Sequence, residues 1–106
     1  MTAHGDGDFF APHTDNGLPD IAHRFLSYVY YFHQEPKRFT GGHLNLYKTV
    51  FANGTNMRGA LVADIDPPRN ALVVFPSYVH HEVTPIQCSS RALADQRLTI
   101  NGWFVP

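Results

Sequence analysis

A histidine and a carboxylate stand two residues apart in His13-Thr14-Asp15, and the pair His80-His81 follows much later in the chain. If the first segment is extended, the His13 and Asp15 side chains leave the same face, because strand side chains alternate. A third ligand from His80 or His81 completes two imidazoles and one carboxylate, the set that binds iron(II) and keeps positions open for reactants. Taken alone, this spacing is weak, since a turn-stabilising aspartate and two unrelated histidines produce it as well.

The elements that must position these side chains are predicted to be short strands. Eight Pro and eight Gly punctuate the 106 residues, and helical periodicity is nearly absent. This pattern predicts one all-β domain. The predicted strands are 8–14, 24–32, 43–50, 60–65, 71–75, 79–86 and 97–105.

Local signals refine this prediction. Asn53-Gly54 is typical of a hairpin turn, and the apolar run Ala71–Phe75 (ALVVF) indicates a strand buried on both faces. Gln87–Gln96 is expected to be a loop, with one helical turn around Ala92–Ala94. Two packed antiparallel sheets, a jelly roll (double-stranded β-helix) with little or no helix, close such a set of strands with few exposed edges.

Charge and cysteine content narrow the classes of partner. Eight basic and nine acidic residues give a net charge of -1, which argues against a nucleic-acid arm or a polybasic membrane patch. Cys88 is the single cysteine, so the chain cannot form an internal disulfide, and one thiol is too few to hold a zinc finger or an iron–sulfur cluster. We therefore expect a cytoplasmic protein that binds neither nucleic acid nor membrane. No secretory leader pattern follows Met1. A strand-like run begins almost at once after Gly5 and Gly7, so the start could equally be an artificial boundary or a truncated reading frame.

Several motifs occur in one order along the chain, and each is modest by itself. Together they closely resemble the iron(II)- and 2-oxoglutarate-dependent dioxygenases, in the prolyl 4-hydroxylase-like branch, over about Gly7 to Phe104. The motifs are GDFFAPHTDN at 7–16, Tyr30-Tyr31, GGHLNLY at 41–47, Phe75-Pro76-Ser77 with His81-Glu82-Val83, and RLTINGWF at 97–104.

The resemblance implies a metal centre and an activity. His13, Asp15 and His81 are expected to be the Fe(II) ligands, whereas His80 is expected to face the opposite side of its strand. The implied reaction uses 2-oxoglutarate and O2, releases succinate and CO2, and hydroxylates an unactivated C–H, with ascorbate supporting activity. The implied substrate is a prolyl or other residue in a protein, although a small molecule stays open.

The resemblance also implies a cosubstrate site. Arg97 is expected to pair with the distal carboxylate of 2-oxoglutarate, because a planar guanidinium suits a bidentate carboxylate, and Tyr31 to supply a hydroxyl to it. Thr99 and Trp103 share strand parity with Arg97, so Thr99 is expected to help bind the cosubstrate and Trp103, with Val83, to line the pocket.

Two departures from the family pattern accompany these expectations. Relatives commonly place the arginine about ten residues after the distal histidine, a spacing that falls on Arg91, whereas the strand context favours Arg97. The family also has helices ahead of its barrel, and almost nothing precedes the His13 strand here. We therefore expect a second copy or further sequence to cover the exposed sheet. A cupin-like metal-binding or isomerase domain and an inactive fragment or binding module are the alternatives.

The remaining polar features have plainer interpretations. His4, His23, His33 and His43 are expected on solvated faces or turns. Gly41-Gly42 is expected to serve a turn, since no helix that could bind phosphate begins there.

Overall fold

The computed structural model describes residues 1–106 and contains ten strands, where the sequence predicted about seven. The two helical segments are 3₁₀ turns, Pro19–Ile21 and Leu93–Asp95, and the second lies where the helical turn was predicted. None of the helical segments is long and apolar enough to cross a bilayer. The strands are β1 (Thr2–His4), β2 (Phe10–His13), β3 (Leu26–Tyr31), β4 (Thr40–Gly41), β5 (Leu44–Ala52), β6 (Thr55–Ile65), β7 (Ala71–Pro76), β8 (His81–Val83), β9 (Ile86–Gln87) and β10 (Arg97–Phe104).

The strands form two four-stranded antiparallel sheets. We call the sheet with the order β1-β10-β3-β7 the major sheet and the sheet with the order β2-β8-β5-β6 the minor sheet. The short strands β4 and β9 pair with each other separately. This architecture confirms the predicted antiparallel jelly roll. The extra elements are mostly strands of two or three residues, which are too short to show an alternating pattern.

The major sheet turns one face toward the minor sheet. Thr99 lies opposite Tyr31 and Trp103 opposite Ser27 in the register of β10 and β3. Ser27, Tyr31, Arg97 and Thr99 are all buried, with at most 2% exposure. Since alternate residues of a strand share a face, this inner face carries Tyr31, Arg97 and Thr99, the three residues predicted to bind the cosubstrate.

The opposite face of the major sheet is apolar and exposed. Leu72, Val74, Ile100 and Phe104 are between 44% and 57% exposed. The prediction that Ala71–Phe75 is buried on both faces is therefore wrong for these 106 residues, because alternate side chains of β7 remain in solvent. We call this surface the outer face.

A tight turn joins the two longest strands. Asn53 and Gly54 have φ values of 52° and 74°, and Ala52 lies opposite Thr55 across the hairpin. Both φ values are positive, as a two-residue hairpin turn of this hand requires. The predicted Asn53-Gly54 hairpin is confirmed.

The Gly41-Gly42 step has a structural role, as the sequence predicted. Both residues have positive φ, 71° and 64°. A Cβ on Gly41 would lie 2.1 Å from the Pro85 carbonyl oxygen, and one on Gly42 would lie 2.9 Å from Cδ of Arg97. Gly41 therefore lets the backbone pass closely beside the Pro85 backbone, and Gly42 lets it pass beside the Arg97 side chain.

Substitution of Gly41 tests this close passage. Gly41→Ala should destabilise the fold by at least about 3 kcal/mol, because the new methyl group meets backbone. Gly54→Ala is the matched control, since Gly54 also has positive φ but has no atom within 4 Å of an added Cβ. It should cost only the left-handed strain, about 1–2 kcal/mol. Free energies of unfolding in urea measure both, and equal losses would contradict the steric argument.

Candidate active site

The pairing of β2 with β8 brings two imidazoles together. His13 and His81 are register partners in this antiparallel pair, and their ring centroids lie 4.3 Å apart. Residues directly opposite each other on neighbouring strands present side chains to the same face. The two histidines are 68 residues apart in the sequence, yet their side chains point to the same place in the structure.

Asp15 reaches the same point from just beyond β2. Its backbone N–H donates to the Ser77 carbonyl at 3.0 Å. Its Oδ1 lies 3.5 Å from Nε2 of His13 and 3.3 Å from Nε2 of His81. One ligand atom from each of these three side chains lies within 4.8 Å of the others. The structure therefore brings the three predicted metal ligands together.

Ser27, whose hydroxyl also contacts Ser77, holds the second oxygen of Asp15. Ser27 Oγ donates to Oδ2 at 2.5 Å, and Ser27 Oγ and Ser77 Oγ are 2.9 Å apart. Burial raises the pKa of Asp15, but hydrogen bonds from His13, His81 and Ser27 outweigh it and hold that pKa well below its usual range. The carboxylate is thus ionised, and Oδ1 is the oxygen that faces the imidazoles.

Each imidazole is oriented by a backbone carbonyl. Nδ1 of His13 is 2.7 Å from the Ala11 oxygen, and Nδ1 of His81 is 2.9 Å from the Val79 oxygen. A hydrogen on each Nδ1 leaves the Nε2 lone pair free for a metal, the usual arrangement for ligating histidines. The hydrogen bond with Asp15 raises the pKa of His13 against the effect of burial, so a metal and a proton compete for Nε2 of this residue.

His80 does not join this group. It precedes β8 and is half-buried, and its Nδ1 has no hydrogen-bond partner. Burial lowers its pKa. The grouped histidine is His81, the second of the pair, as expected from the resemblance.

A cavity of about 290 Å³ connects the grouped ligands to the inner face of the major sheet. His13, Asp15 and His81 line it, and so do Arg97, Trp103 and Val83. Tyr31 and Thr99, the other two predicted pocket residues, are 0% exposed and do not line this cavity. They lie opposite each other on β3 and β10, on the same inner face as Arg97.

Arg97 is buried without an acidic partner. Its Nε donates to the Gly42 carbonyl at 3.0 Å and its Nη2 to Tyr31 Oη at 3.4 Å. No carboxylate lies within ion-pair distance of its guanidinium, although the side chain is only 2% exposed. Arg91, the alternative from spacing, is exposed. A buried, unpaired cation on a cavity wall favours an anionic ligand.

A neighbouring hydroxyl is also unsatisfied. Thr99 Oγ1 is buried and has no hydrogen-bond partner. A hydroxyl costs free energy when it is buried unpaired, and such a group calls for an explanation. Thr99 shares the Arg97 face of β10, so a carboxylate bound near the guanidinium is the kind of acceptor that suits it. The polar groups here fit the distal carboxylate that the sequence resemblance implies.

Several residues of the site were not predicted. Ser27 and Ser77, which bind Asp15 and each other, come from strand β3 and the segment after β7. One feature of the sequence could have indicated Ser27: it is a polar residue in an aromatic strand, and strand alternation puts it on the same face as Tyr31. Two histidines were placed wrongly: His4 is 8% exposed and lines the cavity, and His33 is 1% exposed. His4 pairs with Arg97 on the inner face, and His33 lies two residues beyond the end of β3, packed against Phe39.

Comparisons with known proteins agree with this geometry. Residues 1–105 match the family model of the 2OG-Fe(II) oxygenase superfamily. The chain belongs to this superfamily. Membership implies Fe(II), 2-oxoglutarate and O2, and the donor set of two imidazoles and one carboxylate fits such a metal.

Two relatives indicate the branch. An uncharacterized PKHD-type hydroxylase of Synechocystis sp. is 44% identical over 104 residues, which are 98% of this chain and 34% of that protein. The crystal structure of a Pseudomonas putida prolyl-4-hydroxylase superposes with a TM-score of 0.68 at 30% identity, covering 97% of this chain and 47% of that one. These matches confirm the prolyl 4-hydroxylase-like branch. The chain spans about a third of the length of the curated relative.

Substitution of the adjacent histidines tests the ligand set. His81→Ala should weaken binding of Mn(II), a spectroscopic substitute for Fe(II), at least about 100-fold, because a direct ligand should cost no less than an outer-shell one. His80→Ala is the matched control and should leave binding within about threefold, since His80 lies outside the group. Titration of free Mn(II) by electron paramagnetic resonance measures both. Loss of binding in His80→Ala alone would move the ligand to His80.

Proposed function

We propose that this chain forms the catalytic barrel of an Fe(II)- and 2-oxoglutarate-dependent hydroxylase. In this proposal His13, Asp15 and His81 hold Fe(II), and Arg97 with Tyr31 and Thr99 binds 2-oxoglutarate. The cavity joins the metal set to a buried guanidinium that has no acidic partner. This juxtaposition is the observation that carries the proposal, because 2-oxoglutarate is a metal chelator at one end and an anion at the other.

Each side chain has a distinct task in this function. The Fe(II) centre, once loaded, couples oxidative decarboxylation of 2-oxoglutarate to hydroxylation of a C–H bond. Ser27 fixes the Asp15 carboxylate, so that Oδ1 alone faces the imidazoles. In this proposal Arg97 and the hydroxyls of Thr99 and Tyr31 bind the distal carboxylate, and Tyr31 Oη also accepts a hydrogen bond from the guanidinium. Phe75 and Val83, which are buried and line the cavity, help to exclude water.

The substrate is proposed to be a prolyl or other residue in a protein, with a small molecule as the second possibility. One relative is named a PKHD-type hydroxylase and one similar structure is a prolyl-4-hydroxylase, and these names support the first choice. Trp103 lines the cavity and is 42% exposed, and the Arg24 guanidinium lies 3.6 Å over its ring. An aromatic wall of this kind can pack against a ring or an extended backbone.

The conditions of the reaction follow from the same proposal. Ascorbate is expected to support turnover by keeping the iron reduced. A reducing, cytoplasmic location is proposed because Cys88, the single cysteine, is a buried free thiol.

Binding of 2-oxoglutarate to the iron-loaded protein tests the proposal. Under anaerobic conditions the wild type should develop a weak visible charge-transfer band when Fe(II) and 2-oxoglutarate are both present. With O2 and ascorbate it should release succinate. A wild type that binds the metal but gives no band in the presence of 2-oxoglutarate would indicate a cupin-like metal-binding domain. A protein that binds neither would indicate a binding module.

The anion site is tested by two arginine variants. Arg97→Gln should raise the apparent Kd for 2-oxoglutarate about ten- to hundredfold, because charge-assisted hydrogen bonds are lost. Arg91→Gln is the matched control and should leave it unchanged, since Arg91 is exposed in the loop before β10. The charge-transfer band measures both. An unchanged Kd in Arg97→Gln would remove the anion site from this wall, and a raised Kd in Arg91→Gln would move it to the loop.

We further propose that the outer face is covered by a second copy of the chain. Exposed apolar side chains there come from strands β7 and β10, with half-buried Leu26, Tyr28 and Tyr30 between them on β3. A contiguous apolar patch of this kind marks an interaction site. Two like faces can pack as aligned sheets, and closed homo-oligomers are the commonest assemblies.

Sedimentation of paired lysine variants tests this assembly. The wild type should sediment as a dimer, and Val74→Lys should shift it to monomer, because it places a charge in the centre of the outer face. Val50→Lys is the control: Val50 is similarly exposed, 40% against 46%, but belongs to the minor sheet. A monomeric wild type, or equal effects of the two variants, would contradict the proposal.

A further inference from the structure

Three neutral groups surround the guanidinium of Arg97. The Gly42 carbonyl accepts from Nε at 3.0 Å, His4 Nδ1 accepts from Nη1 at 3.2 Å, and the Tyr31 hydroxyl accepts from Nη2 at 3.4 Å. A guanidinium has five N–H donors. These three contacts use three of them and leave one on each terminal nitrogen, a pair that suits the two oxygens of a carboxylate.

His4 is built into this site by strand pairing. It ends β1, and it is the register partner of Arg97 in the pairing of β1 with β10. The imidazole is 8% exposed and lines the cavity. Its ring packs edge-on against Phe10 with the centroids 5.2 Å apart. Both its ring plane and its Nδ1 are therefore fixed by neighbours.

The contact with Arg97 determines the tautomer of His4. Since an arginine only donates, His4 Nδ1 must be unprotonated and its ring hydrogen lies on Nε2. Burial and the positive charge of Arg97 lower the pKa of His4, opposed by the more weakly acting charge of Asp8. A neutral imidazole is the form that can accept from Arg97.

We propose that His4 is a positioning residue for the anionic end of the cosubstrate. By accepting a hydrogen bond from Nη1, His4 holds the Arg97 guanidinium in an orientation in which its remaining N–H donors face the ligand carboxylate. Without His4, the guanidinium would be held only by the Gly42 carbonyl and by the longer hydrogen bond to the Tyr31 hydroxyl. This inference rests on the proposed function, because it assumes that the carboxylate belongs to 2-oxoglutarate.

Two substitutions separate hydrogen bonding from packing. His4→Asn keeps an acceptor, because Oδ1 of asparagine can occupy the place of Nδ1, but it loses the ring against Phe10. His4→Phe keeps the ring and loses the acceptor. If His4 acts through Arg97, His4→Phe is the damaging change; if it acts by packing, His4→Asn is. His23→Phe is the control, since His23 is exposed and outside the cavity.

The probes are two keto acids titrated anaerobically into the Fe(II)-loaded protein. Both 2-oxoglutarate and 2-oxopentanoate chelate iron, but only the first has a distal carboxylate. His4→Phe should weaken 2-oxoglutarate about tenfold or more, as expected for a lost bond to a charged group, and leave 2-oxopentanoate unchanged. His4→Asn should stay within about threefold of the wild type for both acids, and His23→Phe should match the wild type.

A second signal avoids the iron chromophore. Trp103 is the single tryptophan and lines the same cavity, so its fluorescence can report keto-acid binding with Mn(II) in place of Fe(II). If His4→Phe does not fold, as judged by thermal denaturation, His4→Leu serves as the acceptor-free variant.

The outcomes separate this inference from the proposed function. A wild type that binds neither keto acid overturns the proposed function and this inference with it. A wild type that binds 2-oxoglutarate while His4→Phe binds it equally well overturns the inference alone. So does a His4→Asn variant that is weaker than His4→Phe, or equal losses for both keto acids.

Discussion

The Asp15 carboxylate is bound from both sheets, and the site depends on this junction. One oxygen faces His13 and His81, which the minor sheet supplies, and the other accepts from Ser27 on the major sheet. Separating the sheets would leave a buried carboxylate without its donors, which is costly. The lowered pKa of Asp15 expresses the same coupling. The three candidate metal ligands are therefore brought together by the packing of the two sheets and not by the His13–Asp15 segment alone.

The buried guanidinium imposes a second constraint. Removing a charge from water is expensive unless it is paired, and neutral acceptors compensate only in part. Arg97 has three such acceptors and no carboxylate. Burial lowers the pKa of Arg97 below the usual range for arginine, yet arginine stays charged at neutral pH. A cation that is only partly compensated is therefore held on the cavity wall, and it gives the pocket a preference for anions that the apolar lining alone would not give.

The sequence predicted the parts of the fold that are set by local pattern. Alternation marked the long strands, Asn53-Gly54 marked the hairpin, and the His13-Asp15 spacing marked two of the three grouped ligands. The choice of His81 over His80 came from a family resemblance, because local pattern treats the two alike. Long-range contacts had no local signal: His4 and Arg97 are 93 positions apart.

The lack of a local signal also explains why the burial of His4 and His33 was not predicted. Strand β1 has three residues, which are too few to show a period, so nothing in the sequence indicated that His4 lies in a ladder beside Arg97. His33 follows β3 at a position that alternates onto the Tyr31 side, and it is buried beside Phe39. Both of its ring nitrogens lack hydrogen-bond partners, and Nε2 lies 3.7 Å from Oε1 of Glu35. An isolated histidine is usually solvated, and only its pairing in three dimensions reverses that expectation.

Strand alternation also connects the site to the surface behind it. Ser27 and Tyr31 of β3 serve the inner face, and Tyr28 and Tyr30 of the same strand belong to the outer face. Tyr28 lies against Gly102, where an added Cβ would meet its ring, and packs on Phe104. A layer that covers the outer face must therefore press on the backbone that carries Ser27, Tyr31 and Arg97. Because the donors that orient Asp15 and Arg97 depend on that backbone, the precision of the site and the burial of the outer face are two consequences of the same strands.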